Sequence, residues 1–108
     1  MRQSSKKMRE KRQISEPEAI VLNSKDNVAT AIKAVLKGQT IIIQSVTGRE
    51  SLNAMESIPA GHKIALTNIS KNNPIIKFGE EIGAATKNIP QGTHVHTHNV
   101  RRPTSRST

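Results

Sequence analysis

Ile58-Pro59-Ala60-Gly61-His62-Lys63-Ile64 and Ile89-Pro90-Gln91-Gly92-Thr93-His94-Val95 share the pattern I-P-x-G-x-x-[IV], 31 residues apart. In each, Pro sets the entry to a turn, Gly supplies a positive φ, and a strand begins immediately afterwards. A single match is a generic hairpin signal. Two in one small chain predict a pseudo-symmetric β unit whose halves start from equivalent turns, with Gly61 and Gly92 in structural roles.

The flanking segments are short and broken by turns. Ala19-Ile20-Val21-Leu22, Ile41-Ile42-Ile43 with Val46, and Ile75-Ile76-Lys77-Phe78 read as strands. Thr47-Gly48-Arg49-Glu50, Asn72-Asn73-Pro74 and Gly79-Glu80 read as breaks. Val28, Ala29, Ile32, Val35 and Leu36 recur at helical spacing, Asp26 stands where an N-cap would, and Gly38 offers a stop. That pattern predicts one amphipathic helix over 27–37. The expected fold is mostly β with one short helix.

With 108 residues, the chain is expected to hold one domain, over 18–100. Only 33% of the residues are hydrophobic and 1% aromatic, so the core is expected to be Ile, Val, Leu and Ala around the single Phe78. Such a small interior makes a complete active site on one chain difficult and a partner subunit plausible.

The net charge of +9 is unevenly placed: residues 1–15 carry +5, 101–108 carry +3, and 16–100 only +1. Basic, polar ends with few apolar residues do not repay the entropy of ordering, which predicts disordered tails over 1–17 and 101–108. Solvated extensions are the plain reading, with an acidic partner or a phosphate backbone as alternatives. No aromatic stacking residues accompany the charge, so nucleic acid is not the expected partner. The absence of cysteine excludes disulfides, thiolate metal sites and a Cys nucleophile, and fits a reduced, cytoplasmic setting. No apolar run approaches the ~18–20 residues of a membrane span, and the first residues lack the apolar stretch of a secretory signal.

Four motifs in order, Asp26-Asn27-Val28-Ala29, Gly61-His62-Lys63-Ile64-Ala65-Leu66, Ile76-Lys77-Phe78-Gly79-Glu80-Glu81-Ile82-Gly83 and Val95-His96-Thr97-His98-Asn99, resemble the amino-terminal SAF-type domain of the altronate/galactarate dehydratase family. The resemblance covers roughly 20–100. It implies a β-clip-like SAF fold and membership in an enzyme system that removes water from sugar acids. In the family's long members this domain precedes a large catalytic domain. Altronate dehydratases with a small subunit, and sulfolactate sulfo-lyases, divide the parts between chains. The expectation is therefore a small accessory subunit of a metal-dependent, altronate-type hydro-lyase, inactive without its large dehydratase subunit. A sulfolactate sulfo-lyase subunit and a non-catalytic SAF binding module are the alternatives. The basic extension at 1–17 and His94 depart from the family pattern and inherit no role from it.

Dehydrating a 2,3-dihydroxy acid requires removal of a weakly acidic proton, stabilisation of an enediolate-like charge and loss of hydroxide, all of which a divalent ion of the iron or manganese type assists. A cysteine-free chain offers histidine or carboxylate as ligands. On a strand of period two, His94, His96 and His98 would share one face. Supported by the family motif, His96 and His98 are the expected metal ligands and Asn99 the expected substrate-binding residue; the plain alternative is an exposed polar face. His62 and Lys63 are the expected catalytic residues, against a satisfied turn histidine and a solvated lysine. Asp26 reads as a cap, with Asn27 orienting the same turn.

Overall fold

Short β-branched runs, most of them ended by a turn with a residue at positive φ, leave little room for anything but strands. A computed structural model describes residues 16–103 and shows nine strands among them, with no helix. The strands are β1 (Ala19–Ile20), β2 (Val28–Ala31), β3 (Thr40–Ser45), β4 (Gly48–Asn53), β5 (Lys63–Ala65), β6 (Pro74–Lys77), β7 (Glu80–Ala85), β8 (His94–Val95) and β9 (Val100–Arg101). Six form one sheet in the order β4-β3-β1-β2-β5-β8, and three form a second in the order β6-β7-β9. All pairings are antiparallel except β1 with β3. The tails expected to be disordered lie outside the described residues over 1–15 and 104–108.

The repeated turn occurs four times. Val35-Leu36-Lys37-Gly38, Ile58-Pro59-Ala60-Gly61, Ile69-Ser70-Lys71-Asn72 and Ile89-Pro90-Gln91-Gly92 all end on a positive φ, of 88°, 86°, 76° and 86°. Each follows a buried alanine four residues before its Val or Ile: Ala31, Ala54, Ala65 and Ala85. The units join in two pairs, through the bridges Val35↔Ile58 and Ile69↔Ile89. In every unit the last turn residue donates its N–H to one of these alanines: Gly38 to Ala54 (2.7 Å), Gly61 to Ala31 (2.7 Å), Asn72 to Ala85 (2.8 Å) and Gly92 to Ala65 (2.9 Å). The small alanine side chain at each of these buried positions suits so close an approach of the two backbones.

Two buried clusters follow from the pairing. Val35, Ile41, Ile43, Ile58 and Ile64 centre the first, and Ile69, Ile75, Ile89 and Val95 the second. The β2–β5 ladder is the wall between them. Val28 and its partner Ala65 face the second cluster, Ala29 and its partner Ile64 the first, as a period of two requires.

Three expectations are corrected. The segment expected as a helix over 27–37 is β2 followed by a turn unit. Its apolar residues are dense because β2 is buried on both faces, which imitates helical spacing. Ile32 and Leu36, assigned to the helix's inner face, are exposed. Asp26 caps no helix; its Oδ1 accepts from the Gly79 N–H at 2.8 Å. Asn27 ties β6 to β2, accepting from the Ile76 N–H (2.7 Å) and donating to the Pro74 carbonyl (2.9 Å). Phe78 is not in the core: it sits exposed at φ 55° in the β6–β7 turn, with the Lys77 ammonium 4.9 Å from its ring centre. The buried hydrophobic side chains are all aliphatic.

Candidate functional site

The turn ending at Gly61 delivers His62 to the start of β5, and the turn ending at Gly92 delivers His94 to β8. β5 and β8 are antiparallel, with Lys63 opposite Val95 and Ile64 opposite His94. Extending that register by one residue sets His62 opposite His96, and those rings stack with centres 3.9 Å apart and planes 16° from parallel. His94 is the diagonal neighbour, its ring centre 5.0 Å from that of His62. His62 Nδ1 and His94 Nε2 are 2.8 Å apart, a hydrogen bond whose donor depends on the tautomer. One ring nitrogen from each of His62, His94 and His96 lies within 4.8 Å of the others.

The strand expected to carry three histidines on one face is only two residues long. After Val95 the chain turns, with the Asn99 N–H donating to the His96 carbonyl at 3.0 Å. His96 still joins the cluster, whereas His98 stands at its edge, its ring tilted 38° to His94 at 5.0 Å between centres. His94, for which the family pattern assigned nothing, belongs to the trio.

Asn99 is buried, and its amide is used at both ends by the backbone that carries the histidines. Its Oδ1 accepts from the His96 N–H and its Nδ2 donates to the His94 carbonyl, each at 2.9 Å. The amide of this residue, expected to bind substrate, is engaged by the backbone that carries the two imidazoles. Glu56, which sequence reasoning did not single out, accepts the His94 N–H at 2.9 Å from across a turn unit. No sequence pattern marks it, because it reaches the site only through the pairing of the turns.

Burial holds His94 below the ordinary imidazole range, aided by His98, His62 and His96, while Glu56 acts in the opposite sense. Burial does the same for His96, aided by His62, Lys63 and His98. Neutral imidazoles keep a lone pair available, as a metal ligand must. The His96 Nδ1 is buried with no hydrogen-bond partner, and three clustered imidazole nitrogens are a donor set suited to a divalent first-row ion. Lys63 is half-buried on β5, its ammonium held below the usual lysine range by burial and by the nearby Lys77.

The model of the altronate/galactarate dehydratase SAF domain family matches residues 17–103. The chain belongs to that family. It is 37% identical over 82 residues to the altronate dehydratases of Bacillus subtilis (strain 168) and Escherichia coli (strain K12), a match that covers 76% of this chain and 16% of each relative. It is 41% identical over 46 residues to the (2R)-sulfolactate sulfo-lyase subunit alpha of Chromohalobacter salexigens, covering 43% of this chain and 49% of that one. The chain thus spans a small part of the altronate dehydratases, while the sulfo-lyase subunit is of about its own size. The SAF domain accounts for the all-strand fold, and the histidine trio lies within the matched region. Among the described residues, no helix is long and apolar enough to cross a membrane.

Proposed function

We propose that this chain is the accessory SAF subunit of a metal-dependent sugar-acid dehydratase of the altronate type, acting in the cytoplasm beside a large catalytic dehydratase subunit. The observation that carries the reading is the convergence of His62, His94 and His96, three imidazoles from two equivalent turns, on one point of a domain related to altronate dehydratases. These three hold the divalent ion, of the iron or manganese type, at the face the partner covers. Once bound, such an ion stabilises the enediolate charge and eases loss of hydroxide. In the overall reaction the C2 proton leaves, the C3–O bond breaks with its electron pair going to hydroxide, and the enol becomes a 2-keto-3-deoxy acid.

The chain's own residues bind and orient. Asn99 and Glu56 fix the backbone of His94 and His96. His62, expected to handle a proton, serves better as a ligand because its ring is stacked and hydrogen-bonded within the trio. His98 flanks the centre, and Lys63 is the cation beside it. A sulfo-lyase subunit is the second reading, favoured by the size and name of the sulfolactate relative.

Reconstitution tests this. The chain purified with a large dehydratase-type subunit is expected to convert altronate to a keto-deoxy acid in a metal-dependent manner, with neither part active alone. Turnover by the chain alone overturns the accessory role. Release of sulfite from sulfolactate, with altronate untouched, selects the second reading.

A further inference from the structure

Beside His96 runs an open groove of about 210 Å³ walled by Lys63, Arg101 and Arg102, with Ile82 and Val100 contributing apolar surface. It lies where the two sheets meet, since Lys63 belongs to β5 and Arg101 to β9, which pairs with β7. Three cations line it, and among the described residues none has a carboxylate partner. Arg101 Nη2 meets only the neutral Asn72 Oδ1, at 3.4 Å. Like charges gathered without a counter-charge repel one another, and a planar guanidinium beside an ammonium matches a carboxylate in shape and charge. The volume is below the ~300–1,000 Å³ of a site that encloses a whole ligand, so the groove takes one end of a molecule.

We infer that this groove binds the carboxylate of a polyhydroxy-acid substrate, with Arg101, Arg102 and Lys63 as its anchors, and so presents the adjoining carbons to His62, His94 and His96. The inference rests on the sugar-acid reading above and extends it to Arg101 and Arg102, which lie outside the four family-like motifs. The apolar walls receive the C–H edges of the acid, and the neighbouring His96 sets the direction in which the chain of hydroxyls must run.

The test is an NMR titration of the full chain, without partner or metal, using D-gluconate as the hexonate, D-sorbitol as the neutral polyol and sulfate as a simple anion. Gluconate is expected to shift the amides of Lys63, His96 and Arg101, sorbitol to leave them in place, and sulfate to bind more weakly. Arg101→Gln, Arg102→Gln and Lys63→Met should each weaken gluconate binding by about fivefold or more, the loss of a charge-assisted contact. All three side chains reach the surface, and unchanged thermal unfolding serves as the folding control. Equal shifts with sorbitol, sulfate binding as tight as gluconate, or an Arg101→Gln/Arg102→Gln double variant that binds like the parent chain would each overturn the groove. A reconstituted complex without lyase activity whose SAF chain still binds gluconate through these residues overturns the proposed function and upholds the groove.

Discussion

The Nδ1 of His62 and the Nε2 of His94 stand 2.8 Å apart, so one proton lies between the two rings and the other nitrogen must offer a lone pair. A doubly protonated pair cannot keep this contact. A metal ion entering the trio must displace the shared proton or rotate one ring, so binding of the ion and the protonation of these imidazoles are linked.

Titration of the chain with manganese is therefore expected to show binding that weakens as the pH falls. His96→Ala and His94→Ala should each lower the affinity by at least about tenfold, the usual scale for disturbing a metal site. His98→Ala should change it much less, since His98 lies outside the trio. Calorimetry on the three variants decides between this set and the pair His96 and His98.

The metal-free fold should itself respond to pH. Burial lowers His94 and His96 from the ordinary value of 6.5, so in the window below it the unfolded chain binds protons that the folded chain does not. Stability is then full above about 6.5 and declines as the pH drops through the lowered folded values. Thermal unfolding followed from neutral to mildly acidic pH should show a falling midpoint, and His96→Ala should flatten the fall.

Asn99→Ala removes no ligand, yet it strands the His96 N–H and the His94 carbonyl in a part-buried turn. Each orphaned group is expected to cost about 1–3 kcal/mol, and manganese affinity should fall with it. Denaturant unfolding and metal titration measured on one sample separate this from a substrate contact, which would leave both unchanged in the absence of substrate.

The strand content and the turn signal were legible in the residues, as were the individual histidines of the candidate site. The I-P-x-G repeat announced two of the four units; the others stayed hidden because Val35 replaces Ile, Leu36 and Ser70 replace Pro, and Asn72 replaces Gly at a positive φ that Asn tolerates. The helix over 27–37 was misread because burial on both faces removes the alternation by which a strand is normally known. Phe78 looked like a core residue by type alone, and its turn position depends on a Lys77-Phe78-Gly79 geometry that hydropathy does not encode. Period two grouped His94 and His96 with His98, and His62 entered through the family motif, but the meeting of His62 with His94 and His96 is a cross-strand register between β5 and β8, which no local pattern displays.

That register depends on the two turns that deliver it, and they differ in one testable respect. Gly61 and Gly92 share a φ of 86°, but a Cβ on Gly61 would meet nothing within 4 Å, while one on Gly92 would fall 2.5 Å from the Asn53 carbonyl oxygen. Gly61→Ala should therefore carry only the left-handed backbone cost of about 1–2 kcal/mol. Gly92→Ala adds a backbone collision and should cost about 2–5 kcal/mol. Because Gly92 leads into β8, relief of that collision is expected to disturb the backbone that carries His94. Gly92→Ala should thus lose manganese affinity as well as stability, and Gly61→Ala should keep most of both. Chemical denaturation and calorimetry of the two variants check this, and equal costs would mean that the turns are not packed as their common geometry requires.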